Sequence, residues 1–370
     1  MQLARKLTCA GIIMAIGLVC IGELRAEQPE SVEANPPRLY RLAFSGDGSH
    51  LIAGGDAVRV FRTETGAMVQ RVPLARMSSP LAAFPGRENL FAEAGEDGVV
   101  RIWSIFKPQP VRELQGHRGR VRNLAISPDG KRLASVAGQI VGGRWTRSEF
   151  RLWDAATGRS LRDLVFDSDE VDCAAFSRDG KLLALALDAR EVGAASRIDI
   201  YEVTGWKRQR SVEFSPGFAS AICFPGNTGD LLIVGGDCPS VDGGCQPTGR
   251  LWIALRNERT ARQLEQDREY SYFHGVLTPA ADRLVIGTST VTATVNAKGK
   301  VDGARLGPLV QLRDAKTGDI LWSTITTGAG DPEGIAISAD GKLIAAVVEQ
   351  TIHVFDAETG ENVREIVVAE

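Results

Sequence analysis

Asn123-Leu-Ala-Ile-Ser-Pro-Asp-Gly-Lys-Arg-Leu-Ala-Ser135, resumed after an insertion at Phe150-Arg-Leu-Trp-Asp-Ala-Ala-Thr-Gly158, is the fullest copy of a pattern found seven times between Leu39 and Glu370. In each copy a short apolar stretch leads to a tight polar turn. An aliphatic stretch follows, then a strand ending in a large side chain, then a second turn. Self-similarity at a period of roughly 40–50 residues marks blades, solenoids or arrays.

The pattern reads as strand. Apolar residues alternate or run in short blocks bounded by Gly, Asp, Asn and Pro, and no mature segment sustains a helical apolar period. First-strand anchors fall at Phe44, Phe84, Ile126, Phe176, Phe224, Leu277 and Ile337. Third strands end in Phe61, Trp103, Trp153, Tyr201, Trp252, Arg313 and Phe355, so six of the seven copies can bury one large aromatic against a neighbour. Asp47-Gly48, Asp129-Gly130, Asp179-Gly180 and Asp340-Gly341 join first to second strands, because a tight hairpin turn needs the positive φ that glycine adopts. Thr-Gly follows the third strand at Thr157-Gly158, Thr317-Gly318 and Thr359-Gly360, among others.

These copies resemble WD40 repeats. Gly116-His117, the strand and turn from Val121 to Gly130, Leu133-Ala-Ser135 and Leu152-Trp-Asp154 match that family's Gly-His, strand, Ser and Trp-Asp signature. Ile102-Trp103 and Leu251-Trp252 repeat the Trp. The resemblance implies an all-β chain, a seven-bladed β-propeller of four-stranded antiparallel blades, used as a binding platform. It covers residues 39–370. Only the third copy carries Gly-His, and Trp-Asp is complete only at Trp153-Asp154. The family's buried Asp-His-Ser-Trp network is therefore expected to be largely absent, with apolar packing and turns in its place.

Residues 1–26 read as a signal peptide: Arg5 and Lys6 precede the apolar stretch Leu7–Gly22, and Leu24-Arg-Ala26 resembles a cleavage site. The apolar stretch is short for a membrane span, so no integral span is expected in the mature chain. Residues 27–38 read as a polar linker. The chain carries 43 basic and 46 acidic residues, net −3, which supplies no general pull toward nucleic acid or anionic membranes. Charge is nonetheless segregated. Arg118, Arg120, Arg122, Arg147 and Arg151 gather in the third copy, and Asp167, Asp169, Glu170 and Asp172 open the fourth, a pattern read as opposite charges facing each other. In an oxidising compartment Cys238 and Cys245, in one Gly-rich insertion, are predicted to form a disulfide. Cys173 and Cys223 are read as buried free thiols.

Little suggests catalysis. The histidines His50, His117, His274 and His353 lie in four different copies, and no nucleophile motif, phosphate loop or metal-ligand spacing occurs. No catalytic residue, metal or cofactor is expected. One stretch supports an enzymatic alternative. Leu312-Arg-Asp-Ala-Lys-Thr-Gly-Asp-Ile-Leu-Trp-Ser323 resembles the repeat of quinoprotein dehydrogenases, in which such a Trp docks blades together and a metal-bound quinone is used. That reading places function in the central channel.

The insertions point elsewhere. Connections between second and third strands are long in copies three to six: Ala137–Glu149, Asp188–Arg197, Asp237–Thr248 and Ser289–Leu309. All leave the same face, where loops on a rigid scaffold carry function. Arg144, Trp145 and Arg147 have the composition of an interface anchor. The expectation is an exported, periplasmic or extracellular scaffold, non-enzymatic, that binds a protein or peptide, alone or within an envelope assembly.

Overall fold

The computed structural model describes residues 39–368, apart from 75–77, 88, 142–143, 168, 190–194, 216, 227, 238–239, 242–243, 246–247, 268–270, 279, 281, 296–300 and 328–331. The expected signal peptide and linker lie outside the described residues. Among the described residues there is no helix, and so none long and apolar enough to cross a membrane.

Seven four-stranded antiparallel sheets follow one another along the chain. Blade 1 holds β1 (Leu39–Phe44), β2 (His50–Gly55), β3 (Ala57–Arg62) and β4 (Met68–Pro73). Blade 2 holds β5 (Ser78–Ala83), β6 (Leu90–Gly95), β7 (Val100–Ser104) and β8 (Arg112–Leu114). Blade 3 holds β9 (Arg120–Ile126), β10 (Arg132–Val141), β11 (Arg144–Asp154) and β12 (Ser160–Phe166). Blade 4 holds β13 (Asp169–Phe176), β14 (Leu182–Ala189), β15 (Ser196–Glu202) and β16 (Lys207–Phe214). Blade 5 holds β17 (Phe218–Cys223), β18 (Leu231–Asp237), β21 (Thr248–Ala254) and β22 (Arg262–Asp267), with the small hairpin β19 (Ser240–Val241) and β20 (Gly244–Cys245) inserted. Blade 6 holds β23 (Ser271–Leu277), β24 (Arg283–Val295), β25 (Val301–Asp314) and β26 (Ile320–Ile325). Blade 7 holds β27 (Gly334–Ile337), β28 (Leu343–Val348), β29 (Thr351–Asp356) and β30 (Asn362–Val367). The first strand of every blade lines one central cavity of about 460 Å³. The chain is a seven-bladed β-propeller.

The core is distributed among the blade junctions rather than gathered in one place. Each of the seven junctions has its own apolar cluster. In β14, Leu183, Leu185 and Leu187 pack toward blade 3 while Ala184 and Ala186 pack toward blade 5. A sheet buried on both faces needs such a continuous aliphatic run, which is why the second strands show no polar alternation. The third-strand aromatics face the preceding blade: Trp153 packs in the blade 2–3 cluster and Trp252 in the blade 4–5 cluster. Burying one such side chain contributes about 1.5–3 kcal/mol. Blade 6 has Arg313 at this position, fully buried. Its guanidinium donates to Gln311 Oε1 at 2.7 and 3.0 Å and to the Gly318 carbonyl at 3.1 Å, and burial lowers its pKa to about 10.

The Asp-Gly turns share one hydrogen-bond device. In blade 3, Ser127 Oγ donates to Asp129 Oδ1 at 2.6 Å and accepts the Arg132 amide at 2.9 Å, while Asp129 Oδ1 accepts the Lys131 amide at 3.0 Å. Gly130 takes φ +65°. Blade 7 repeats it with Ser338, Asp340 and Gly341, at φ +74°. The Ser338 hydroxyl beside Asp340 holds that carboxyl below its ordinary range.

Blade 7 is contiguous sequence, as the repeat register predicts, and no described N-terminal segment adds a strand to it. Side chains close the ring. Arg41 Nη1 donates to the Glu333 carbonyl at 2.9 Å, Arg364 donates to the Thr63 carbonyl, and Leu39, Phe44 and Phe61 pack with Val347, Val354 and Ile366. Cys173 and Cys223 are free thiols, Cys173 buried as expected and Cys223 half-buried. Burial pushes both up, Cys223 to about 12, so neither ionises near neutral pH.

Candidate functional site on the loop face

Antiparallel order sends every second-to-third strand connection out of one face of the ring, here called the loop face. Two of the four insertions are hairpin arms rather than loops. In blade 3, β10 and β11 stay paired past the last partner of β9, at Gly138↔Arg120, through Gln139↔Arg147 and Ile140↔Trp145 to Val141↔Arg144. In blade 6, β23 ends its pairing at Ser271↔Ser289, but β24 and β25 continue as a two-stranded ribbon to Val295↔Val301. Those six further residues of β24 project about 20 Å at about 3.3 Å per residue. The expectation of four long loops is corrected in this respect: regular backbone pairing carries the insertions of blades 3 and 6 outward, and β19 and β20 pair within the insertion of blade 5.

Of the three expected anchor residues, Arg144 and Trp145 lie near the tip of the blade 3 arm, and only their backbone is described. Arg147 sits further down the arm, where its Nε lies 3.7 Å from Glu149 Oε1. Cys238 lies outside the described residues, and Cys245 is described only as backbone in β20. His274 is likewise described only by its place in β23.

The root of the blade 3 arm holds a buried polar chain. Trp153 Nε1 donates to Ser135 Oγ at 2.8 Å, and Ser135 Oγ lies 2.6 Å from His117 Nε2. His117 Nδ1 lies 3.4 Å from Glu149 Oε2, which also accepts the Arg118 amide at 3.1 Å. An ionised carboxylate only accepts, so Nδ1 carries the proton and Nε2 accepts from the serine hydroxyl. Burial and the nearby Arg151 charge lower the His117 pKa to about 4, keeping it neutral. The Arg151 guanidinium stacks 5.6 Å over the Trp153 ring. The four-membered network expected to be largely absent is thus complete in this blade, with Glu149 as its acid. Sequence reading missed Glu149 because it belongs to the insertion, and only the arm's register returns it beneath His117.

Elsewhere the network is stripped down. In blade 2, Trp103 Nε1 donates to buried Glu93 at 3.3 Å. In blade 5, Trp252 Nε1 is buried with no hydrogen-bond partner among the described groups. The position matching Ser135 there is Gly235, and a Cβ on it would lie 1.9 Å from the Phe218 carbonyl oxygen, so no side chain can serve. His353 is fully buried, with Nδ1 3.3 Å from Glu365 Oε1, and His50 edges onto Phe106 at 6.2 Å. Neither joins a catalytic grouping.

The segregated charges do face each other across blades 3 and 4, at the channel mouth on the loop face. Arg122 pairs with Glu170 and, at 2.9 Å, with Asp172. Arg197 forms two bonds to Asp169, at 3.1 and 2.7 Å. Burial and the adjacent Asp172 raise the Asp188 pKa to about 9, so this acid stays protonated at neutral pH. Below the mouth, the first strands line the channel with Arg41, Asn123, Cys173 and Ser220 beside apolar residues such as Ile222 and Ile335. Among the described residues no three His, Cys, Asp or Glu side chains gather as metal ligands.

Comparison with known proteins agrees with this architecture. The WD40 family model (WD domain, G-beta repeat) matches residues 108–141, the span from the outer edge of blade 2 into the blade 3 arm. The chain is 26% identical over 160 residues to the p21-activated protein kinase-interacting protein 1-like of Danio rerio, covering 43% of this chain and 38% of that protein. It is 28% identical over 167 residues to Protein groucho of Drosophila melanogaster, covering 42% of this chain and 21% of groucho. The chain thus spans well under half the length of these relatives. Among solved structures, Kuenenia stuttgartiensis hydrazine synthase superposes with a TM-score of 0.67 at 15% identity, covering 90% of this chain and 99% of that one. That likeness is one of fold. The third copy thus matches the WD40 repeat model, and the chain as a whole has the seven-bladed β-propeller fold.

Proposed function

We infer that this protein is an exported, non-enzymatic scaffold, periplasmic or extracellular, that holds a protein or peptide partner on its loop face. The observation that carries the reading is the pair of hairpin arms rising from blades 3 and 6 of a rigid ring. The blade 3 arm is fixed at its root by the Trp153–Ser135–His117–Glu149 chain and carries Arg144, Trp145 and Arg147 outward. A rigid base with large planar side chains near the tip lowers the entropy cost of binding. Interaction with a protein kinase stands in the name of one relative, which supports a binding role for propellers of this kind. A quinoprotein-like enzyme would instead work in the central channel.

The test is recovery of a partner from the envelope fraction by the mature protein, compared with a variant whose blade 3 arm is cut back to Gly138 and Ser148. Loss of a specific partner with an unchanged melting temperature supports the reading. Equal recovery by both proteins sinks it. N-terminal sequencing of the mature chain tests export, with Glu27 as the expected first residue.

A further inference from the structure

The geometry points to a second binding site, on the rim, where the outer edge of blade 4 takes an acidic peptide in extended conformation as an added strand. Strand β16 is the last strand of its sheet, so one backbone edge faces outward. That edge already accepts a strand at one end. The Glu213 amide donates to the Arg259 carbonyl at 2.8 Å, and the Ala261 amide donates to the Glu213 carbonyl at 2.7 Å, as a parallel bridge to the turn leading into β22. In an extended strand the amide and carbonyl of every second residue point the same way. Ser211, two residues before Glu213 and paired with Asp199 on its other side, presents its backbone to the same outer edge.

A groove of about 540 Å³ runs along this edge, lined by Arg208, Gln209, Ser211, Glu213, Arg259 and Thr260. Its far wall is held in place. The Arg210 guanidinium donates to the carbonyls of Leu255 at 2.8 Å, Glu258 at 2.9 Å and Gly229 at 2.6 Å, so the turn of blade 5 is pinned against blade 4. The groove is thus preformed, and an entering strand does not have to order it.

The charge selects the occupant. Lys207, Arg208, Arg210, Arg256, Arg259 and Arg262 lie along this edge against Asp199, Glu213, Asp230 and Glu258, an excess of basic groups in a chain whose net charge is −3. Lys207, Arg208, Arg256 and Arg259 are exposed. Strand addition supplies affinity through main-chain hydrogen bonds, and flanking side chains supply selectivity. Alternating carboxylates on the added strand would meet Arg259 and Arg208, the latter already 3.2 Å from buried Asp199 Oδ2 through one of its planar donors. This site is independent of the loop face.

The experiment uses the full mature protein and a fluorescein-labelled octapeptide of alternating Glu and Thr, followed by fluorescence anisotropy at low salt. Saturable binding is expected. The Lys-Thr counterpart and the same Glu-Thr peptide with alternate amides N-methylated should each bind at least about tenfold more weakly. The double variant Lys207→Glu, Arg259→Glu changes only exposed side chains, so it should keep its melting temperature and lose affinity by a similar factor. If the N-methylated peptide binds as tightly as its parent, the surface reads charge alone and the strand-addition proposal is overturned. Undiminished binding by the double variant would place the peptide elsewhere and overturn it equally.

Discussion

The indole nitrogen of Trp322, on the outer strand of blade 6, donates to the backbone carbonyl of Ala357 in the turn of blade 7, at 3.1 Å. The same ring covers Gly360, where a Cβ would lie 2.8 Å from Trp322 Cδ2. Other junctions reach the same kind of turn with different side chains. Gln70 donates to the Lys107 carbonyl at 2.7 Å, Arg364 donates to the Thr63 carbonyl, and Arg210 caps the turn of blade 5. The outer seam is therefore tied by donors that satisfy turn carbonyls, beside the apolar clusters further in. Trp322→Ala should lower stability by about 2 kcal/mol. Gly360→Ala should also destabilise, because φ is +75° there and the indole fills the space. Denaturant titration of both variants measures this. No loss in either would mean that the seam adds nothing.

Trp153 and Trp252 are both buried third-strand indoles, but only Trp153 has a hydrogen-bond acceptor among the described groups. Replacement by Phe removes similar volume at each site. Trp153→Phe also strips a donor from buried Ser135, so it should cost about 1–2 kcal/mol more than Trp252→Phe. Equal losses by chemical denaturation would show that the polar chain under the blade 3 arm contributes nothing to stability.

Two buried titrations give stability opposite dependences on pH. His117 falls from an ordinary 6.5 to about 4, so across that window the unfolded chain binds the extra proton and stability drops on acidification. Asp188 rises from 3.8 to about 9, so the folded chain holds the extra proton and stability drops as pH rises through that range. The slopes oppose each other below 6.5, and above it the Asp188 slope remains, at up to about 1.4 kcal/mol per pH unit. Asp188→Asn should flatten the decline between pH 7 and 9, and His117→Asn should remove the opposing slope at lower pH. An unchanged profile in either variant, by urea unfolding across pH, would contradict the assignment.

The fold was largely legible because its determinants are local. Asp-Gly turns at Asp129 and Asp340, an aromatic closing six of the seven third strands, and aliphatic runs such as Leu182–Leu187 all point to stacked antiparallel blades. Opposed charge between the third and fourth copies also read through, as the pairing of Arg122 with Glu170 and Asp172 shows. Features set by register were harder to see. Glu149 joins His117 only because β10 and β11 stay paired through the insertion. Arg313 breaks the aromatic rule, and its burial is understandable only once Gln311 and the Gly318 carbonyl are seen around it. The rim groove depends on a turn from blade 5 lying beside β16, which no spacing within one repeat reveals.

Cys245 lies in β20 of the small hairpin of blade 5, and Cys238 precedes β19 in the sequence of the same insertion. A bond between them should stabilise by about 2–3 kcal/mol in the chain-entropy account and stiffen that hairpin. Peptide mapping of exported protein without reductant should recover the two cysteines in one linked fragment. Recovery of both as free thiols would remove the disulfide from the account.

The central claim is that the loop face, through Trp145 near the tip of the blade 3 arm, holds a partner. Its most direct test is to measure partner affinity and melting temperature together on Trp145→Ala. An anchor side chain should cost about 2 kcal/mol or more of binding and leave the fold almost as stable as before. A variant that melts earlier yet binds its partner as tightly as the wild-type protein would show that Trp145 packs on the blade, and would contradict the claim.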